Sequence, residues 1–391
     1  MSKTDAAHFL PGQNLNVRPE WRRRAQPRYG RACVHAPGRV HMSVFDFSKM
    51  APGLGGGGLG ISVDTAYSQV LISAGAGDAS SLNATGRHLL ELFKQCVGYD
   101  RDDLSVNVAR RIQYAHAGFG SNVTFNTALM AGLNALFGSP FSVHEIWTML
   151  TQNYVENAED GEHIYYGLDT GVGETCVLYG GLVWIDEGVG VGDGRYLGSV
   201  PAQDLRVVTA VGKVERLAGE AMRALGEAAA KGLGDKSEAE VVAGLCQEYQ
   251  KRYGAALQEC LHARMRPAFL RNDLAGLLES GWELNDVGNM KVLEGIYEPQ
   301  VLRDLTSTMR RAGSLFAGMS SAGPGFFAFS DSERGAEQLR DVLQARFSEY
   351  FGDFAIVRAG AKLDLELEAP LPSREPADHA ATAFEQERVA A

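Results

Sequence analysis

The stretch AGFGSNVTFNTALMAGLNALF, Ala117–Phe137, does most to limit what this chain can fold into. Two glycines and a serine stand directly before a long apolar run, so a turn delivers the chain straight into a helix. Loops of this kind hold phosphates, because the N–H groups and dipole of a helix N-terminus favour an anion without a charged side chain. The lysine of a G-x-x-x-x-G-K-[ST] loop is missing. On these residues alone, Gly118, Phe119, Gly120, Ser121 and Asn122 read either as a backbone anion cradle or as a glycine turn capped by Ser121 or Asn122.

A chain of 391 residues exceeds what one core usually organises, so two domains are expected. Its net charge of -11 argues against a nucleic-acid surface, which needs a basic footprint. A small anionic substrate stays open, since a pocket can be positive inside an acidic protein. The cysteines, Cys33, Cys96, Cys176, Cys246 and Cys260, are scattered without a C-x-x-C pair, which points to reduced thiols in a cytoplasm rather than disulfides or zinc. No apolar run approaches the roughly 20 residues of a membrane span. Residues 1–31, with RPEWRRRAQPRYGR, are expected to be a mobile basic arm, and residues 369–391 a disordered tail.

Between those ends the pattern mixes strands and helices without strict alternation, which favours α+β in both halves, 32–203 and 204–368. ACVHAPGRVHMSVFDF reads as strand, turn, strand. GLGGGGLGISVD reads as a cluster of tight turns before the strand AYSQVLISAG. TGRHLLELFKQCVGY, NVTFNTALMAGLNALFG and SVHEIWTMLTQNYV read as helices, and LSVNVARRIQ and TCVLYGGLVWID as strands. In the second half LRVVTAV and FAIVRAG are strands. Helices are expected at 214–231, 237–266, 298–312 and 333–350, with SLFAGMSSAGPGFFAFS as strand, glycine turn, strand.

Two further motifs are unremarkable singly. GMSSAGPGFFAFS is a plain hairpin connection, and PGRVHMSVFDF places Arg39, His41 and Asp46 near a strand end, where they read as a surface ion pair and an exposed His. Together with the Gly118 loop, in that order, they resemble the motif set of the GHMP kinase superfamily, over about Ala36 to Ala361. The resemblance implies a GHMP-type N-terminal α+β domain with a left-handed crossover, a C-terminal ferredoxin-like domain, and a ligand between them.

One departure bears on function. The kinases carry a motif like G-x-x-S-G-x-D-N, whose Asp acts in phosphoryl transfer; here GLDTGVGETCVLYGG places Gly173 at that Asp. A glycine neither accepts a proton nor orients a hydroxyl. The β-ribofuranosylaminobenzene 5'-phosphate synthases are similar at this point, reading S-G-x-G, as Thr170-Gly171-Val172-Gly173 does, and R-I-H-x-x-L-x-D, as Arg39, His41 and Asp46 do. Among bacterial relatives the chain resembles the C-glycoside synthases of pyrazole C-nucleoside (formycin and pyrazofurin) biosynthesis. Asn122 and Val123 stand where Gly and Thr are usual near the acceptor, which points away from a benzoate.

The resemblance implies phosphoribosyl pyrophosphate as donor, a small aromatic carboxylate as acceptor and Mg2+ on the diphosphate. It assigns Arg39, His41 and Glu174 to catalysis, Gly118–Asn122 to pyrophosphate, and Thr170, Gly171, Ser320, Ser321 and Gly323 to substrate. Asp46 and Asp169 are its metal candidates, and Lys291 is a further candidate cation that reads first as a solvated surface residue. A cytoplasmic homodimer without nucleic-acid or membrane partners is expected. Alternatives are a synthase acting on a benzoate, an atypical small-molecule kinase using Asp169 or Glu174, and a binding relative without catalysis.

Overall fold

The computed structural model describes residues 8–49, 55–75, 77–110, 117–188, 195–220, 222–224 and 238–368. The expected tail, the first seven residues of the arm, Arg111–His116 and residues 221 and 225–231 of the helix expected at 214–231 lie outside them. Among the described residues no helix is long and apolar enough to cross a membrane.

The fold is α+β and has two sheets. The first is built from β1 (Arg31–Val44), β2 (Gly58–Ala74), β3 (Leu104–Arg110), β6 (Leu182–Ile185), β7 (Tyr196–Val200) and β12 (Asp364–Leu367), in the order β12-β1-β2-β6-β7 with β3 also on β2. Helices α1 (Ala84–Val97), α2 (Ser121–Leu136) and α3 (Val143–Gln152) pack with it around Val34, Ile72, Phe93, Leu129 and Leu133. A short hairpin, β4 (Val155–Asn157) and β5 (Ile164–Tyr166), precedes α4 (Val172–Tyr179).

The second sheet has the order β11-β8-β10-β9, all antiparallel, from β8 (Arg206–Gly212), β9 (Ala317–Met319), β10 (Gly325–Ser330) and β11 (Phe351–Arg358). Helices intervene between β8 and β9, and one more between β10 and β11, which is the ferredoxin-like arrangement. They include α5 (Glu238–Glu259), α6 (Leu274–Val287), α7 (Asn289–Leu293), α8 (Pro299–Arg311) and α9 (Glu333–Phe347), with short helices at Val214–Leu217 and Arg266–Leu270 and a π-helical turn at Cys260–Met265. One apolar cluster runs from Val40, Leu59 and Trp184 of the first sheet to Val207 and Phe326 of the second and Leu343 of α9, so the halves share a core. β12 returns to pair with β1, which takes residues 364–367 out of the second half where the sequence placed them.

Four local expectations are corrected. Pro37 and Gly38 do not turn the chain; β1 runs through them with a register shift between Ala36 and Gly38, because a bulge absorbs the proline's missing N–H. Of the glycine cluster before Ile61, Gly53 and Leu54 lie outside the described residues and Gly57 takes a positive φ of 62°, while Gly58 to Gly60 are not turns but the start of β2, where a Cβ on Gly60 would lie 2.5 Å from Val172 Cγ1 and 3.0 Å from Cys176 Sγ of α4. Bare strand lets the helix sit down. The TCVLY segment is consequently helical, its β-branched residues overridden by burial of Val172, Cys176 and Val177 against the sheet.

The basic arm, expected to be mobile, is laid on the first half from His8 onward. Trp21 is 2% exposed, and Phe9 bridges to Ile164. The arm also supplies what helix C-termini lack. Arg23 N–H donates to Cys96 O at 2.8 Å, Ala25 N–H to Val97 O at 3.1 Å, and Arg28 N–H to Leu136 O at 2.8 Å.

Candidate active site

Two bulges frame the site. β1 shifts register again between His41 and Ser43, so Arg39 and His41 lie between two irregularities that re-aim side chains. Arg39 N–H donates to Phe119 O at 3.1 Å, and its Nη1 donates to Gly118 O. His41 N–H donates to Ser320 Oγ at 2.8 Å, the Ser320 hydroxyl donates to Gly118 O, and Ser321 N–H donates to His41 O at 2.9 Å. The first strand, the glycine loop and the β9–β10 turn are therefore tied together by their backbones.

The loop's glycines answer to this knot. At Gly118 (φ 78°) a side chain would run into the Ser320 carbonyl. Gly120 (φ 81°) is the left-handed N-cap of α2, and no side chain caps that helix. Phe119 is buried and contributes only its carbonyl.

α4 begins beside α2. Gly171 (φ 74°) is its N-cap, with Asp169 Oδ1 accepting Gly171 N–H at 3.0 Å and Thr170 Oγ1 accepting Val172 N–H at 3.4 Å. Thr170 Oγ1 also lies 3.4 Å from His41 Nε2. A Cβ on Gly173 would lie 2.6 Å from Val123 Cγ1 and 3.4 Å from Arg39 Nε. Space there is filled by Val123 and the guanidinium. Two helix starts and one arginine thus converge, an arrangement suited to an anion.

Three acids join them, one unforeseen. Glu156, from the β4–β5 hairpin, accepts Tyr154 Oη–H on Oε1 at 2.6 Å and Asn122 Nδ2–H on Oε2 at 2.9 Å. Sequence reasoning missed Tyr154, Glu156 and the packing role of Val123. The signal was Gly167, where a Cβ would lie 2.6 Å from Tyr154 Cε1 and 2.8 Å from Glu156 Cγ. Three buried atoms at this place have no partner: Arg39 Nε, Asp169 Oδ2 and Glu174 Oε2. Each such group costs about 1–3 kcal/mol unless a ligand completes it.

Burial pulls the Arg39 pKa down while Cys176, Tyr154, Glu174 and Asp169 draw it back up, and a guanidinium stays charged. His41 is pushed down to about 3, by burial first and then by Arg39. It is buried and a neutral imidazole near neutral pH, not the exposed His that its strand-end motif suggests when read singly. Burial raises Asp169 to about 6 against backbone N–H groups of Gly171 and Thr170 that favour its charge. Glu174, 1% exposed, is raised well above the usual carboxylate range by burial and then by Asp169.

This has a measurable consequence for stability. A carboxyl raised on folding stabilises fully below its ordinary value of 3.8 and loses that contribution as pH rises through about 6. Asp169→Asn removes the loss. The variant should gain stability relative to the parent as pH climbs from about 4 to about 7, in paired urea titrations across that range. A difference independent of pH would mean Asp169 ionises freely.

The other expected residues are placed as follows. Gly323 sits in the β9–β10 turn, where Tyr297 Oη–H donates to Ala322 O at 2.8 Å. Asp46 lies at the far end of β1, accepting Ser48 N–H at 3.0 Å and facing Lys49 at 3.7 Å. No interaction joins it to Asp169 among the described residues, where no group of three or more His, Cys, Asp or Glu is spaced to hold a metal ion. Lys291 pairs with Glu294 at 2.9 Å, while its neighbour Asn289 donates to Ser321 O at 2.7 Å.

Comparison with known proteins agrees with this architecture. Residues 265–349 match the family GHMP kinases C terminal. No curated protein sequence matches the chain. Homoserine kinase from Cytophaga hutchinsonii is similar in structure (TM-score 0.56, 18% identity, 87% of this chain and 99% of that one). So is mevalonate kinase from L. major in complex with R-mevalonate (0.56, 15%, 85% and 98%). Mevalonate diphosphate decarboxylase from Staphylococcus aureus is a third (0.58, 12%, 86% and 98%). The fold is therefore GHMP-kinase-like.

Proposed function

We propose that the chain is a decarboxylating C-glycoside synthase, joining phosphoribosyl pyrophosphate to a carboxylated heteroaromatic ring carbon such as that of 4-amino-1H-pyrazole-3,5-dicarboxylate. The observation that carries this is Gly173: the carboxylate a GHMP kinase uses is absent, and Val123 and Arg39 occupy its space. What remains is machinery for an anion that leaves. In the reaction the anomeric C–O bond breaks and its electron pair departs with pyrophosphate. A ring carbon forms the new C–C bond, then the C–carboxylate bond breaks and returns its pair to the ring as carbon dioxide. No proton is abstracted.

Arg39 and the uncapped start of α2 would stabilise charge gathering on the leaving diphosphate. Neutral His41 would orient Thr170, and the knot through Ser320 holds these parts in register. Among the described residues no group of three or more His, Cys, Asp or Glu is spaced to hold a metal ion, and a magnesium ion is proposed to enter as part of the chelated donor.

A second reading is an atypical kinase. The similarity in fold to homoserine and mevalonate kinases favours it, as does Asp169, whose pKa near 6 suits a general base. One experiment separates the two. With phosphoribosyl pyrophosphate and the aminopyrazole dicarboxylate, pyrophosphate and carbon dioxide should appear in equal amounts, and mass spectrometry should find a carbon-linked ribosyl product. A product ribosylated on nitrogen with both carboxylates kept, or phosphate transfer from ATP to an alcohol, would overturn the proposal.

A further inference from the structure

The unpartnered atoms around Arg39 make a demand that a phosphate alone does not meet. Arg39 Nε–H needs an acceptor, which a phosphate oxygen supplies. Asp169 Oδ2 and Glu174 Oε2 need hydroxyl or amine partners. A diphosphate has acceptors only, and it would set like charge against Asp169. A single ligand that completes all three atoms carries an anionic group and, close to it, hydroxyl or N–H groups.

Neighbouring side chains narrow this further. Glu156 already engages both its oxygens, on Tyr154 and Asn122, whereas Asp169 and Glu174 each keep one oxygen with no partner. Asp169 spends Oδ1 on Gly171 N–H and keeps one oxygen, and Glu174, fully buried five residues on, keeps one too. Two unpartnered carboxyl oxygens, on acids close enough to interact at one helix start, suit two adjacent hydroxyls.

We infer that Asp169 and Glu174 form a diol clamp, gripping the vicinal hydroxyls of the donor's pentose while Arg39 and the helix starts hold its phosphorylated side. This rests on the reading of the site as one for a pentose phosphate donor. It gives both acids a role in selecting the sugar, separate from the chemistry of the leaving group. A donor lacking the 2-hydroxyl leaves a buried carboxyl unpaired, the kind of loss that discriminates strongly.

Calorimetric titration of the full chain with ribose 5-phosphate, 2-deoxyribose 5-phosphate and inorganic pyrophosphate tests the clamp. The parent should bind ribose 5-phosphate about tenfold or more tighter than the deoxy sugar. Asp169→Asn and Glu174→Gln should each shrink that ratio towards one, while pyrophosphate affinity changes by less than about threefold. The clamp is overturned if the parent binds the two sugars alike, a result that needs no variant to fold. It is equally overturned if the variants lose pyrophosphate as much as ribose 5-phosphate. The proposed reaction fails separately: a parent that prefers the ribo sugar but releases no pyrophosphate with any acceptor keeps the clamp and loses the synthase. Turnover with indifference to the 2-hydroxyl does the reverse.

Discussion

Arg39→Met should cut turnover by about 100- to 1000-fold while leaving the protein as stable as the parent or more so. The two halves of that expectation have different causes. Arg39 is the cation that faces the starts of α2 and α4, and its Nε has no protein partner. Removing it takes away a preorganised donor where charge develops on the leaving group. In the free protein, however, a partly desolvated guanidinium among buried groups is a burden, and methionine fills similar space without it. The carbonyl of Gly118 keeps the Ser320 hydroxyl, so the knot survives. Arg39→Lys should rescue little, since a point charge does not reproduce the planar fork. Pyrophosphate release under saturating donor, set beside a thermal melt, reads both quantities. Turnover within tenfold of the parent would reduce Arg39 to a strut between β1 and the loop.

The places of the site were legible in the sequence, and the reasons were not. Gly118, Gly120, Gly171 and Gly173 stood out as glycines, and the structure brings their segments together with Arg39 and Ser320. What each glycine makes room for lies far away in the chain: the Ser320 carbonyl for Gly118, the Arg39 side chain for Gly120, Val123 for Gly173. A spacing rule sees the gap and not its occupant. The same blindness hid Tyr154 and Glu156, which carry no motif and reach the site through a short hairpin.

Secondary structure failed where tertiary contact decided. Residues 172–179 have the β-branched look of a strand, yet the glycines of β2 leave a seat for a helix there. Charge density suggested a loose N-terminal arm, but Trp21 and Phe9 anchor it and its N–H groups cap α1 and α2. The ferredoxin-like half read more easily, because its strands and α8 and α9 carry local periodicity.

Gly120→Val should abolish turnover, with a loss of about 100-fold or more, while the chain still unfolds cooperatively. At φ 81° a β-branched residue is strained by about 1–2 kcal/mol before it touches anything. The new Cβ then lies 2.9 Å from Arg39 Cγ and 3.1 Å from Arg39 Nε, and the γ-methyls add bulk beside the guanidinium. Arg39 must swing away, and the first turn of α2 loses both its entry angle and its cation. Strain and displacement can be told apart by a control. Gly98 ends α1 at φ 62°, and a Cβ there comes no closer than 3.8 Å, to Arg23 O. Gly98→Ala should therefore lower the melting temperature about as much as Gly120→Ala, yet keep full pyrophosphate release. Gly120→Ala, which brings the same close Cβ without the methyls, should fall between parent and valine in rate. The three variants measured together decide whether the loop acts on the diphosphate or only joins two elements. Normal donor binding and turnover by Gly120→Val would leave Gly118–Asn122 as a capped turn, and the anion site would have to be sought at α4 alone.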